Sequence, residues 1–467
     1  MNNTYNLDSI NDCSLGGICG GCFYCDQPYS EQLKAKEEHV ERLLKEAASE
    51  YDYEYTYEGI IPSPIVFGYR NKMEYSFGDS AKDGPLTLGL HKKRSFYDVI
   101  DTDCCLLVHN DCNLVVRAAA EYFRELKLTY KDKRSHFGYL RYLVIRRAVN
   151  TGEMLIDLVT TTQPLIPVAK HSDINSLALY DRESHAAGSI RAASGVETLD
   201  EEGVLEGFVR LLADLESTEA FEGRIRGILH TRNDSMADAV RNDGTDVLYG
   251  EDHIQEELLG LNFRISPFSF FQTNSKGAEV LYSKVREYII EELNENTSLF
   301  DLYSGTGTIA QMLAPCVGHV TGVEIVSEAV EAARANAEEN GLNNCTFIAD
   351  DVLKALDSLP APDAIILDPP RDGVNPKALR KIVEYKVDNI IYVSCKPESL
   401  ARDMGMLQMS GYRLIRAAAV DQFPWTKNVE TVCLLSRRKP DDTIKVSVNM
   451  DDYYQIRDAE EAEKNPS

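Results

Sequence analysis

Four cysteines fall within thirteen residues near the start of the chain: Cys13, Cys19, Cys22 and Cys25, in a Cys-x5-Cys-Gly-Gly-Cys-x2-Cys run. Thiolates this close in sequence converge readily on a metal or an iron–sulfur cluster. Four inert buried cysteines would not need glycines between them. A structural zinc favours two Cys-x2-Cys knuckles separated by a longer loop. Here the other dense group is Cys104-Cys105 with Cys112 nearby, and the unequal spacing fits a [4Fe–4S] cluster better than a zinc ribbon.

A second constellation lies far downstream. Ser298-Leu-Phe-Asp-Leu302 is apolar enough for a buried strand and leads into a Gly-x-Gly turn at Gly305 and Gly307, after which residues 309–314 begin an apolar helix. Such a strand, turn and helix open a doubly wound α/β domain, and the glycines let the backbone approach a ligand. An acid at the end of the next strand would hold ribose hydroxyls. Glu324, closing His-Val-Thr-Gly-Val-Glu, stands there. The third glycine of the dinucleotide fingerprint is missing, so a nucleoside such as S-adenosylmethionine suits the turn better.

The elements that must position these groups follow from the pattern of the chain. Its 467 residues allow two or three domains, and 43% hydrophobic with 27% charged residues is ordinary for a soluble protein. A net charge of −26 argues against broad non-specific binding of nucleic acid, though it leaves room for a local basic face. No apolar run approaches the roughly 20 residues of a membrane span, and residues 1–6 carry neither part of a signal peptide. A cytoplasmic protein without a membrane partner is expected. In that compartment clustered cysteines read as ligands before disulfides.

Residues 1–50 form the cysteine-rich segment and a charged helix at 30–49, for which a solvated face is sufficient explanation. Residues 51–265 are expected to be a mostly β central domain, with strands at 51–57, 67–77, 86–90, 95–100, 225–230, 246–249 and 261–266. A helix at 111–126 and an insertion over 165–222, itself holding a helix at 203–215, complete it. Between Arg124 and Arg147 eight Lys or Arg face two acids, interleaved with Tyr130, Phe137, Tyr139 and Tyr142. That composition suits an RNA surface and a solvated sheet with tyrosines in its core about equally. Residues 266–438 alternate strand and helix: a helix at 275–293, then strands ending near Glu324, Asp351, Asp368 and Cys395, then 412–420 and 430–436, about seven in all. Ligands bind such sheets at the carboxyl ends of the strands. The tail 439–467 holds eight acids and four bases and one possible strand at 443–448.

Six motifs in order, Ser-Pro-Phe-Ser-Phe-Phe-Gln-Thr-Asn from Ser266, Asp-Leu-Tyr-Ser-Gly-Thr-Gly, Gly-Val-Glu, Asp-Pro-Pro-Arg-Asp-Gly, Tyr-Val-Ser-Cys-Lys-Pro and Phe-Pro-Trp-Thr-Lys-Asn-Val-Glu to Glu430, resemble the RNA uracil-C5 methyltransferases of the RumA/TrmA family. The cysteine run, with Tyr29, Gln32, Leu33 and Lys36 after it, resembles the iron–sulfur branch that methylates ribosomal RNA. The resemblance implies a Rossmann-like class I methyltransferase domain using S-adenosyl-L-methionine. Position by position, it makes Gln272, Tyr303, Glu324 and Asp368 cofactor residues and adds Asp351 (with Asp350 as its alternative) near the adenine. It makes Cys395 the nucleophile and Glu430 the base. It assigns Cys13, Cys19, Cys22 and one of Cys104-Cys105, Cys104 fitting better, to a [4Fe–4S] cluster. The implied partner is ribosomal RNA, most of all 23S, with transfer RNA as the alternative, and a monomer is expected.

Three departures from the family pattern stand out. The RNA-binding barrel that often precedes the cysteines is not expected, because twelve residues precede Cys13; Cys25 stands for a usual glutamine, and Asn428 for a common histidine. Two rivals define the tests. An amino-group methyltransferase would use Asp-Pro-Pro but wants an aromatic where Arg371 stands, and has no use for Cys395. A non-catalytic iron–sulfur RNA-binding protein would not use the cofactor residues.

Overall fold

The computed structural model describes residues 8, 10–49, 51, 53–180 and 190–437. The expected strand at 443–448 lies outside them. Among the described residues no helix is long and apolar enough to cross a membrane.

The downstream sheet has eight strands in the order Thr56–Ile61, Arg413–Val420, Glu430–Ser436, Asn389–Ser394, Ala364–Leu367, Ser298–Leu302, His319–Glu324 and Cys345–Ala349. Ala364–Leu367 and Asn389–Ser394 are buried at every position. Helices on both faces of a parallel sheet produce such continuous apolar strands, with no in–out alternation. Glu430–Ser436 alone runs antiparallel to its neighbours, because only the short loop 421–429 joins it to Arg413–Val420.

The eighth strand departs from the expected organisation. The stretch expected as a central-domain strand at 51–57 instead forms Thr56–Ile61, which pairs in parallel with Arg413–Val420. Helix Tyr29–Ala48 also belongs to this body, and it is more than a solvated helix. It buries Tyr29, Gln32, Leu33, Lys36, Val40 and Leu44 along one side, the spacing of a helix face packed on a core.

The central sheet has seven strands in the order Thr245–Gly250, Arg224–Arg232, Glu153–Thr160, Leu140–Arg147, Lys72–Gly78, Thr87–His91 and Val99–Asp101. Its core includes Tyr75, Phe77, Phe123, Tyr139, Leu143 and Phe208. Helix Glu201–Glu216, within the expected insertion, packs on helix Asn110–Glu125, with the Phe208 and Phe123 rings 5.2 Å apart. The basic–aromatic stretch resolves toward the core. Tyr139 and Tyr142 are buried, Arg141 is held by Asn233 and Arg146 by the Pro267 carbonyl. Residues 95–98, expected as strand, are a loop in which Ser95 Oγ accepts from the Tyr97 and Asp98 amides.

Candidate active site

The parallel register lines up the carboxyl ends of four strands. Leu302 pairs with Val323 and with Leu367, Leu367 pairs with Tyr392, and Glu324 pairs with Ala349. Tyr303, Glu324, Asp368 and Cys395 therefore all emerge at one edge of the sheet. The antiparallel strand adds Glu430. Its ladder pairs Val393 with Val432 and ends with Ser394 against Thr431, which leaves Cys395 and Glu430 as neighbours just beyond it.

These residues line a single cavity of about 1680 Å³ together with Gln272, Gly305, Asp351, Arg371 and Asn428. The turn that begins the cofactor half is strained in a defined way. Tyr303 has φ +67° without being glycine, a left-handed conformation that costs about 1–2 kcal/mol. Its amide and that of Ser304 both reach the Val323 carbonyl, at 2.9 and 3.1 Å, which holds the turn against the strand. Gly307 has φ +71°, and a Cβ there would lie 2.5 Å from the Phe347 ring. The glycine is required both by conformation and by the close helix–strand approach.

Glu324 accepts from the Gly305 amide at 3.1 Å and the Val326 amide at 3.0 Å. Its carboxylate is thereby fixed at the strand end, facing the cavity, as an acceptor for hydroxyls. Asp351 accepts from the Leu353 amide, capping helix Val352–Ala355, and lines the cavity; Asp350 accepts from the Asp351 amide. Gln272 is buried, its carbonyl held by Asn71 Nδ2 at 2.9 Å.

The reactive half is dominated by burial. Asp368 faces the cavity but is otherwise enclosed by protein, which pushes its carboxyl up to about 7. Burial, then the nearby Asp368 charge, pushes Glu430 up to about 8, while the Arg371 guanidinium pulls it down. Burial, then Glu430 and Asp368, pushes the Cys395 thiol up to about 11, again opposed by Arg371. Carboxyl groups titrating near neutrality beside a thiol form an arrangement suited to proton transfer.

Three neighbours of the site carried no clear signal of their own in the sequence. Asp301, inside strand Ser298–Leu302, lines the cavity, and burial followed by Asp368 and Glu324 raises it to about 8. Its Oδ2 accepts from the Ala310 amide at 3.0 Å, whereas its buried Oδ1 has no partner. An acid within an otherwise apolar strand was the available clue. Tyr282 is buried against Asp368, Glu430 and Gln272 and looks like any core residue of helix Ser275–Glu292. Arg371 was visible as a departure from the aromatic of amino-group enzymes, with no hint that it adjoins Cys395.

At the N-terminus the segment near 100 does fold back onto the cysteine run. Cys13 lies against Cys104, whose Sγ is 3.3 Å from Ser14 Oγ. Cys22 accepts from Asn11 Nδ2 at 3.5 Å and is pushed up to about 12 by burial and by Cys105, Cys19, Cys13 and Cys25. Cys13, Cys19, Cys22, Cys25 and Cys105 line a cavity of about 570 Å³ that meets the larger one at Arg70 and Phe268–Phe271. Among the described residues no three His, Cys, Asp or Glu groups stand in the arrangement of a formed metal site. Crowded, half-buried thiols are nevertheless a donor set that a cation would relieve.

A doubly wound sheet with a glycine turn, a strand-end acid and a thiol–carboxylate pair on its carboxyl edge defines a methyltransferase of the nucleoside-cofactor type. Residues 225–438 match the model of the tRNA (uracil-5-)-methyltransferase family. The chain is 45% identical over 426 residues to an RNA methyltransferase of Caldanaerobacter subterraneus subsp. tengcongensis, covering 91% of this chain and 84% of the relative. It is 42% identical over 427 residues to one of Clostridium acetobutylicum, with the same coverage. The tRNA (uracil-54, C5)-methyltransferase of Pyrococcus abyssi, solved with S-adenosyl-L-homocysteine, superposes with a TM-score of 0.63 at 26% identity, over 88% of this chain and 84% of that one. The chain belongs to the S-adenosylmethionine-dependent RNA uracil-C5 methyltransferase family.

Proposed function

We propose that this enzyme methylates C5 of a uridine in 23S ribosomal RNA through a covalent bond between Cys395 and uracil C6. The observation that carries the mechanism is the proximity of Cys395 to Glu430, Asp368 and Arg371 on one cavity wall. S-adenosylmethionine supplies an electrophilic methyl group. Uracil C5 is too weak a nucleophile to take it unaided. Cys395 Sγ, as thiolate, adds to C6 and makes C5 an enolate carbon, dividing one hard step into easier ones. Arg371 favours that thiolate. After the methyl is on C5, Glu430 removes the C5 proton, the C6–S bond breaks, and the thiolate leaves. Asp368, titrating near neutrality, is suited to meet the uracil edge as donor or acceptor. A base stacked in a helix cannot enter the cavity, so the uridine must be looped out or flipped.

On the cofactor side, Glu324 suits the ribose hydroxyls, Asp351 the adenine end, and Gln272, Tyr303 and Asp368 the region between. Cys13, Cys19, Cys22 and Cys104 would hold a [4Fe–4S] cluster in a structural role, since the methyl transfer moves no unpaired electron. Iron and sulfide analysis of anaerobically purified protein tests the cluster; stoichiometric zinc without iron rejects it. Ribosomal RNA is supported by the cysteine pattern, and transfer RNA by the tRNA enzyme of similar fold. Mapping 5-methyluridine in both RNAs from cells lacking the gene, then restored with wild type or Cys395→Ala, decides between them. One ribosomal position should lose its methyl group and regain it only with the wild type. Loss confined to transfer RNA would replace the substrate, and full restoration by Cys395→Ala would remove the mechanism.

A further inference from the structure

We infer that a strip of exposed aromatic rings, each covered by a cation, leads single-stranded RNA from the outer end of the central sheet to the mouth of the active site. The inference rests on the reading above that RNA is the substrate, and adds where its flanking nucleotides lie. Phe96 and Tyr97 are 62% and 52% exposed on the loop between strands Thr87–His91 and Val99–Asp101. Apolar rings of that size are normally buried. Their centroids are 5.4 Å apart at 88°. Lys133 Nζ stands 4.0 Å over Phe96, and the Arg134 guanidinium 4.9 Å over Tyr97.

The same loop is fastened to the N-terminal segment. The Gly20 amide donates to the His91 carbonyl at 2.9 Å, and the Lys93 amide to the Ile18 carbonyl at 2.7 Å. Lys93 Nζ then stands 5.8 Å from the centre of the Phe23 ring, which is 44% exposed. On Phe23 sits a second cation, Lys427, at 3.9 Å. Lys427 precedes Asn428, a wall residue of the active-site cavity. Tyr97 and Phe96 are thus linked through Lys93 on the same loop to Phe23, and through Lys427 to the cavity rim.

Charge points to the occupant. The chain carries −26 overall, yet Lys92, Lys93 and Arg94 are consecutive here, and Lys133, Arg134 and Lys427 join them. Asp238 pairs with Lys133 at 2.7 Å and offsets part of this charge. Cations that track phosphates, with rings that take unstacked bases, are what a sequence-tolerant single-strand site needs. An acidic protein would otherwise repel RNA, so the local excess of positive charge has to sit along the path the strand follows.

The test is binding of a fluorescein-labelled oligouridylate of about a dozen nucleotides, a length in the range of single-strand sites, at several salt concentrations. S-adenosylhomocysteine binding and the thermal melt of each variant report folding. Phe96→Ala/Tyr97→Ala should weaken RNA binding roughly tenfold or more, and Phe96→Trp/Tyr97→Trp should keep wild-type affinity. Lys92→Glu/Lys93→Glu should weaken binding and flatten its salt dependence. Wild-type affinity in the alanine variant, or no binding by the wild type at low salt, overturns the strip. Formation of 5-methyluridine in RNA by the wild type is scored separately, so the strip and the proposed reaction fail independently.

Discussion

Cys395 and Glu430 come together because one strand of an otherwise parallel sheet runs backwards. In a parallel pair the carboxyl end of a strand lies beside the carboxyl end of its neighbour. Strand Glu430–Ser436 instead begins where Asn389–Ser394 ends, so its first residue lies close to the residue just past Ser394. The reversal brings a carboxyl group to the thiol without a long excursion of the chain.

This placement separates two steps of the proposed reaction. Glu430→Gln keeps shape and a hydrogen-bonding side chain but removes the base. The variant should add to the uridine, take the methyl group and then stall, leaving a methylated RNA–protein adduct that survives denaturing electrophoresis. Turnover should fall by roughly a hundredfold or more, the usual weight of a positioned base. Cys395→Ala should bind RNA and cofactor and form no adduct. Wild-type turnover in Glu430→Gln would end the assignment.

The pH profile follows from burial. In the proposed reaction Glu430 acts as a carboxylate, and its carboxyl is raised to about 8. The proton-abstraction step should therefore rise with pH through about 8 and level off above it, not at the ordinary carboxylate range near 4. Arg371 holds both Glu430 and Cys395 down, so Arg371→Gln should move the rising limb to higher pH. At neutral pH its rate should fall about tenfold for each unit of that movement. Single-turnover rates across the range check it, and a limb unmoved in Arg371→Gln contradicts the role given to that charge.

Much of the carboxyl edge was legible because buried parallel strands are short apolar runs, and the residues that end them differ sharply in type: Glu324, Asp368, Cys395. Thr56–Ile61 was not placed correctly, since its partner lies at Arg413–Val420 and non-local pairing leaves no local trace. Lys36 and Gln32 were read on a solvated helix because polar residues carry the opposite signal unless their partners, Asp421 and Trp425, are known. The tyrosines of 130–142 left two readings open, as a ring serving RNA and a ring serving a core have the same composition.

Asp157 offers a test of buried charge away from the cavity. It lies in central strand Glu153–Thr160, where Thr231 Oγ1 donates to Oδ2 at 3.0 Å and buried Oδ1 has no partner. Burial raises its carboxyl to about 7. A group raised on folding contributes stability that is complete below its unfolded value near 4 and is lost as pH rises through about 7. Asp157→Asn removes the titration. The variant should be more stable than wild type at about pH 8, by on the order of a few kcal/mol, and little different near about pH 4. Denaturant midpoints at the two pH values read this, and a gain of equal size at both would refute it.

The last prediction concerns the hold that helix Tyr29–Ala48 has on the loop before Glu430. Lys36 Nζ donates to Asp421 Oδ1 at 2.6 Å and to the Phe423 carbonyl at 3.0 Å, and Tyr29 donates to Asp421 Oδ2 at 2.6 Å. Both members of the ion pair are buried. Burial pulls the Lys36 ammonium down while Asp421 pushes it back. Beyond the pair, Gln32 Oε1 accepts from the Trp425 amide, and the Phe23 amide donates to the Trp425 carbonyl at 2.8 Å. Loop 421–429 is thus clasped from the N-terminal side at both Asp421 and Trp425. Breaking a buried pair from one side strands the other charge, at a cost of about 3–5 kcal/mol. Lys36→Met should lose stability on that scale, and Lys36→Met/Asp421→Asn should recover much of it, because no buried charge is left over. If the clasp also positions Glu430, the double variant should fold, add to uridine at the wild-type rate and release product slowly, so that the covalent adduct accumulates. A double variant as stable as the wild type with unchanged adduct lifetime would confine Lys36 and Asp421 to holding the fold.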